Sequence, residues 1–511
     1  QRAGQPALCA GGGKGLKTII TIDAGTQSLR AGVLTTRGDM LFSASSDYSP
    51  VFSPGNRAEQ DPATWKEALF GTLRKVGDYL SENPDMEADC MAITSQRASV
   101  IPVDGAGEPL YNALMWQDKR ARAECGWIES KISREELYHA CGLRLDPYFS
   151  LPKMLWLRSN EPEVWAKTKK LIGVQDYLTF LLTGSMVTDW SQACRTMLMD
   201  LSTFSWNEKL LELFDIDRSL LCDLIPPGEE AGCLTDKAFA ETGLPEGLPV
   251  LLCGGDQQCA ALALGLFAPG TATSNTGTGG FVLGYAEKPV FDREQRILCS
   301  ASAIPGRWIA EAGIYASGAM FSWARNQLFE GAEHEADPYE RINREVSAVP
   351  PGSNGVIVLP HFSGSAAPNW NPLAKGLIFN LGLGSTRGEI SRAILEGIAG
   401  EIADNLELIS ENCGKVNRLF VAGGLTRSPA YCQIMADSTQ VPVVRRRSAE
   451  ATVLGCLISA CVARGYYEDC ESAFLTIMSS VEEEFLPDPE RGRIYAKNRA
   501  IKRAIYAALN S

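Results

Sequence analysis

Apolar residues in this chain gather in runs of strand length that end in glycine or a small hydroxyl residue, and between them apolar positions recur at helical spacing. Residues 250–253 read as a buried strand closed by Gly254 and Gly255, with Asp256 at the mouth of the helix that follows. The next strand pair breaks at Thr276-Gly277-Thr278-Gly279. Near the start, residues 17–36 repeat the plan: strand, Asp23, a Gly25-Thr26-Gln27-Ser28 turn, strand. The pattern then predicts a third strand at 40–48, a polar loop at 49–60, and a helix at 65–80 capped by Asp61 with Pro62 at its first position. A buried strand is predicted at 90–93, an amphipathic helix beginning at 153–157, and a helix at 177–183 stopped by Gly184. Residues 188–200 read as loop and strand returning to the sheet, and 206–214 as a helix. The second half reads as strands at 297–303, 308–311, 356–360 and 419–422, with helices at 320–328, 387–410, 428–440 and 453–462. Strands interleaved with helices predict an α/β fold. Two hairpins with small hydroxyl-bearing turns, one opening each half, predict duplicated halves facing one nucleotide.

Composition narrows the class. A chain of 511 residues exceeds a single core and suits two sizeable domains. Its net charge of −13 argues against a nucleic-acid or anionic-membrane partner, since both reward clustered Lys and Arg. The dense basic cluster Arg445-Arg446-Arg447 reads as a solvated strand end. Fifteen cysteines without a C-x-x-C pair, several in apolar contexts (Cys253, Cys259, Cys456, Cys461), read as buried free thiols of a reducing cytoplasm. No apolar run has transmembrane length, residues 1–15 lack the apolar core of a signal peptide, and Gly11-Gly12-Gly13-Lys14-Gly15 reads as part of a flexible leader.

Chemistry concentrates at strand ends. A polar side chain after a buried strand and a glycine pair lies at a sheet edge, where α/β folds collect ligands, which makes Asp256 the candidate reactive group. A strand–TGTG–strand turn can hold a polyphosphate through bare backbone and threonine hydroxyls, or it can be simply a tight hairpin. Arg97, after the 90–93 strand, reads either as a ligand for hydroxyls or phosphate or as a turn anchor. Trp116 reads either as the apolar wall of a polyol site or as a core residue before a helix. Gly423-Gly424, between a strand and a helix, allows a nucleotide to lie against backbone. Neither a role for the histidines nor a metal-ligand cluster emerges.

Eight segments together carry a family resemblance: DAGTQSLR (23–30), SQRAS (95–99), WQDKRA (116–121), LDPYFSLPKMLWL (145–157), GGDQQCAAL (254–262), SNTGTGGFVL (274–283), FSG (362–364) and VAGGLTRSP (421–429). From about Lys17 to the last helix the chain resembles the FGGY carbohydrate kinases, nearest their glycerol kinase branch. The resemblance implies two actin-like (ribonuclease H-like) α/β domains with mixed sheets flanked by helices: a leader at 1–16, an N-terminal domain at 17–266 and a C-terminal domain at 267–511. It implies ATP-dependent phosphorylation of a primary hydroxyl on a glycerol-like polyol, tetritol, pentitol or ketose, by a cytoplasmic enzyme for which homo-oligomerisation stays open. By the same resemblance, Asp256 is the catalytic base. Arg97, Trp116, Tyr148, Asp256, Gln257 and Phe281 bind substrate. Thr26, Ser28, Arg30, Thr278 and Gly279 face the ATP phosphates, Gly318 and Gly424 flank the adenosine, Ser428 stands where asparagine is usual, and Asp23 holds Mg²⁺ mostly through water. Ser159 and Asn380 depart from the family signatures, and Ala98, like Ser428, departs from the glycerol kinase branch. A glycerol kinase would have glutamate in place of Ala98, so the expected substrate is a larger polyol or ketose that fills the vacated space. The competing class is a non-catalytic actin-like ATPase switch or assembly protein, which needs the phosphate hairpins but not an acid beside an aromatic-walled pocket.

Overall fold

The computed structural model describes residues 15–277, 279–331, 337, 339–446, 450–478 and 483–510. A first sheet takes β1 (Leu16–Ala24), β2 (Ser28–Thr35), β3 (Met40–Asp47), β4 (Met86–Ser95), β5 (Glu230–Cys233) and β6 (Pro249–Gly255), in the order β5-β6-β4-β1-β2-β3. The β1–β3 meander is antiparallel, whereas β4 runs parallel to β1 and β6 parallel to β4. A second sheet takes β7 (Thr271–Thr276), β8 (Gly280–Ala286), β9 (Leu298–Ala301), β10 (Trp308–Ile314), β11 (Arg418–Ala422), β12 (Val443–Arg445) and β13 (Glu483–Phe485), in the order β9-β10-β8-β7-β11-β12-β13. Here β7, β8 and β10 are antiparallel neighbours, β11 lies parallel to β7, and β12 parallel to β11. A meander followed by two parallel strands therefore occurs twice.

Helices cover both sheets: α1 (Pro62–Glu82), α2 (Ser150–Asn160), α3 (Asp256–Ala263), α4 (Gly318–Leu328), α5 (Arg387–Cys413), α6 (Pro429–Thr439) and α7 (Ala451–Ala463) are the ones that bear on the site. Asp61 caps α1 by accepting from the Ala63 amide. The buried stripe Trp65, Leu69, Leu73 and Val76 packs with β1 and β2, each side chain contributing about 1.5–3 kcal/mol of apolar burial. The two halves share their cores. Cys456 and Leu457 of α7 pack with Ile19, Cys90 and Leu251 of the first sheet. At the crossing with α3, a Cβ on Gly455 would stand 1.7 Å from the Cys259 carbonyl oxygen, so only glycine permits this approach.

Several expectations are corrected. The stretch 49–60 is not all loop: Val51–Ser53 and Arg57–Gln60 pair antiparallel and join Ala113–Leu114 in a small sheet, hidden in the sequence because Val51 and Phe52 stay exposed. Residues 188–200 do not return to the main sheet. Val187–Asp189 pairs with Asp223–Ile225, and Asp189 caps a helical turn through the Ser191 and Gln192 amides. Trp206 belongs to a two-residue strand, and its helix starts at Glu208 behind an Asn207 cap. α2 is buried on every face from Ser150 to Leu157 rather than amphipathic. Arg445 and Arg446 are buried, not solvated: Arg445 donates to the Thr426 carbonyl at 2.7 Å and Arg446 lies 4.0 Å over the Phe474 ring. Arg447 lies outside the described residues, as does the leader up to Lys14. Among the described residues, no helix is long and apolar enough to cross a membrane.

Candidate active site

Three parallel strands set the site. In register, Asp23 of β1 stands beside Thr94 of β4, and Ser95 of β4 beside Gly255 of β6. The carboxyl ends of adjacent strands thus bring Asp23, Arg97 and Asp256 to one sheet edge. Gly254 has φ +107°, and a Cβ on Gly255 would meet the Arg97 side chain at 2.4 Å, so the glycine pair both turns the chain and admits the arginine.

A cleft of about 710 Å³ opens on this edge. Among the expected substrate residues, Arg97, Trp116, Tyr148, Asp256, Gln257 and Phe281 all line it. Trp116 and Tyr148 meet at 5.7 Å between ring centroids, and the Trp116 indole N–H donates to the Thr26 hydroxyl at 3.1 Å. Arg97 Nε lies 3.7 Å from Asp256 Oδ1, and its Nη1 lies 3.4 Å from Glu311 Oε1. Burial raises the Asp256 carboxyl above its ordinary value while Arg97 opposes the rise.

Sequence reasoning missed three groups here. Glu311 of β10 takes Arg195 Nη1 at 3.1 Å as well as Arg97, so one acid of the second sheet pairs with two arginines of the first half. Burial would raise Glu311, but Arg195 and then Arg97 outweigh it and hold the carboxyl below its usual value. A lone acid inside the apolar run Trp308–Ile314 was its one legible signal. Lys153 of α2 is fully buried, with its ammonium donating to the Tyr148, Phe149 (3.0 Å) and Ala98 (3.3 Å) carbonyls. It thereby ties the turn after Arg97 to the turn bearing Tyr148.

Ala98 corrects one expectation. It sits at φ +66° and lines a separate cavity of about 30 Å³ with Met154, Asp176 and Gln192. The room for a longer substrate therefore belongs to the cleft itself and not to space vacated beside Ala98.

The residues expected to face the nucleotide fall in part around the second hairpin. Gly318 N and Ser317 Oγ both donate to the Gly277 carbonyl, at 2.9 and 3.0 Å. A Cβ on Gly279 would stand 2.9 Å from the Ile314 carbonyl oxygen, whereas one on Gly424 would meet nothing within 4 Å. Ser428 leads into α6 with a buried hydroxyl. Thr278 lies outside the described residues. On the first hairpin, Ser28 opens β2 and Arg30 pairs with Glu450, ahead of α7, at 3.0 Å.

A divalent cation fits Asp23. Burial, reinforced by Asp256 and opposed by Arg30, pushes its carboxyl up to about 7, and a cation beside it would relieve that. Among the described residues no cluster of three metal-ligating side chains exists, so a cation held here would bring other ligands with it.

Comparison with known proteins identifies the class first. The chain is a phosphotransferase that uses ATP to phosphorylate an alcohol group of a sugar or polyol. It belongs to the FGGY family of carbohydrate kinases, whose N-terminal domain matches residues 18–263 and whose C-terminal domain matches residues 272–464. A glycerol kinase of Trichlorobacter lovleyi is 32% identical over 503 residues, covering 95% of this chain and 98% of that protein. A xylulose kinase of Lactococcus lactis is 27% identical over 489 residues, covering 96% of each. The crystal structure of Plasmodium falciparum glycerol kinase with ADP superimposes with a TM-score of 0.87 at 25% identity, covering 96% of this chain and 99% of that one. The actin-like duplicated fold follows from these matches and from the two sheets.

Proposed function

We propose that the chain transfers the γ-phosphoryl group of ATP to a primary hydroxyl of a polyol or ketose longer than glycerol, in the cytoplasm. The observation that carries this reading is Asp256, a half-buried carboxylate 3.7 Å from Arg97, at the edge of a cleft of about 710 Å³ that Trp116, Tyr148 and Phe281 line. Such a volume lies within the range of small-molecule sites and, although Thr26 on its wall is assigned to the phosphates, leaves room for an acceptor longer than three carbons.

The aromatic side chains take the carbon face of the substrate, and Arg97 and Gln257 meet its hydroxyls. Asp256 accepts the proton of the attacking hydroxyl, which leaves late in a loose transition state and asks little basicity of the acid. Thr26 and Ser28 on one hairpin and Gly279 on the other supply hydroxyls and bare amides to the phosphates, with Arg30 adding charge. Gly424 presents an open backbone face to the adenosine, flanked by Gly318 and Ser428. Asp23 holds Mg²⁺, which neutralises phosphate charge when bound. The hinge of closure is set near 266–270, where Gly270 and the adjoining Gly265 both have positive φ.

The test is acceptor-dependent ADP release over glycerol, tetritols, pentitols, pentuloses and hexuloses. Turnover on a compound longer than glycerol supports the size reading; preference for glycerol over all of them replaces it with a glycerol kinase. ATP hydrolysis indifferent to every acceptor favours an ATPase switch.

A further inference from the structure

The cleft is more cationic than an alcohol requires. Around Asp256, the charges of Arg97 and Arg195 are met by Asp256 and Glu311. Lys119 on the same wall is matched by Asp146 at 2.7 Å, and Arg134 pairs with Glu129 at the surface. Arg144 differs. It is half-buried in the lining, donates to the Gln295 carbonyl at 2.6 Å, and lies 5.4 Å over the Trp370 ring. Among the described residues no carboxylate lies within ion-pair reach of it, nor does any contact join it to Asp256, Arg97 or Glu311. Burial, with Arg134 nearby, holds its guanidinium below its ordinary value, although Tyr138, Tyr315 and Asp146, the acid that Lys119 engages, oppose this. In a protein of net charge −13 with carboxylates to spare, an arginine that faces a substrate cleft with a carbonyl and a ring as its partners keeps guanidinium N–H groups available to an anionic ligand.

We propose that the acceptor carries a terminal anion, a carboxylate or a phosphate, which docks on Arg144 while the hydroxyl at its other end reaches Asp256. This rests on the kinase reading above and narrows its substrate class to hydroxylated acids or phosphorylated polyols. Guanidinium matches both anions with paired, charge-assisted hydrogen bonds, and the Trp370 ring holds its plane in one orientation.

The experiment compares ADP release with matched acceptors built on tetrose, pentose and hexose skeletons: the neutral polyol or ketose, the corresponding sugar acid, and the terminal monophosphate. Wild-type enzyme is expected to prefer an anionic member over its neutral counterpart by about tenfold or more in kcat/KM, with the sugar-acid and phosphate arms telling the two anions apart. In Arg144→Met the anionic-to-neutral ratio is expected to fall by about 10–100-fold. Because that variant can lose stability, a second measurement uses wild type alone: KM for the anion rises with added KCl, while that for the neutral compound holds. A neutral acceptor used as well as its anionic counterpart, or a ratio unmoved by both the substitution and salt, overturns the inference and leaves the kinase reading standing. Absence of ADP release with every acceptor overturns the kinase reading, and the inference with it.

Discussion

The two sheets share a three-strand antiparallel run beside two parallel strands but finish their edges differently. Where β1, β4 and β6 end, the first sheet presents ionisable side chains, Asp23, Arg97 and Asp256, the last two joined through Arg97 to Glu311 and Arg195. The corresponding edge of the second sheet, where β7 and β11 end, presents glycines: Gly277, Gly279, Gly423 and Gly424. One edge carries fixed charge that can move a proton or fix a hydroxyl; the other carries bare backbone that can approach a phosphate or a base closely. A duplicated scaffold supplies the positions, and side chains at strand ends divide the labour.

Removing the reactive charge should have the largest effect. Asp256→Asn is expected to lower kcat by about 10²–10⁴-fold while nucleotide affinity, read by calorimetry with ADP, stays near wild type. Turnover within tenfold of wild type would strip Asp256 of the base role. Next comes the acid that joins the sheets. Glu311→Gln leaves Arg97 and Arg195 buried without their counter-charge and is expected to cost about 3–5 kcal/mol in denaturant unfolding at neutral pH. Because the folded Glu311 carboxyl titrates below its unfolded value, its contribution is present above that unfolded value and lost on acidification. The gap between variant and wild type should therefore narrow as pH falls below about 4.5; a gap constant with pH would mean that the ion pairs do not carry the effect.

A smaller effect belongs to the helix crossing. Gly455→Ala forces a methyl onto the Cys259 carbonyl and is expected to cost about 1–3 kcal/mol of stability and to blunt the compaction that the proposed closure predicts on ligand binding, to be read by small-angle scattering. Compaction equal to wild type would separate the crossing from closure. Smallest in stability is Gly424→Ala, whose Cβ meets no protein atom, so unfolding should change by less than about 0.5 kcal/mol. Its ADP affinity should nevertheless fall several-fold if this bare edge faces the nucleotide. Unchanged affinity would show that the glycine edge does not do so.

Local chemistry was legible because it is written in neighbouring residues. Strand length, a glycine pair and the next polar residue gave β6, Gly254, Gly255 and Asp256; Asp61-Pro62 fixed the start of α1; and Gly184 stopped its helix in the left-handed conformation. The aromatic side chains Trp116, Tyr148 and Phe281, far apart in the chain, line one cleft. What only the tertiary structure decided lies in pairings across long separations. Arg97 and Glu311 are 214 residues apart, Arg195 and Glu311 116, and no spacing rule links them. The burial of Arg445 and Arg446 and the lone state of Arg144 depend likewise on which carbonyl, ring or acid the fold sets opposite each guanidinium. Periodicity reports the face a residue occupies, but the partner on the facing surface comes from another part of the chain. Charge balance in the cleft was therefore settled only once the two sheets came together.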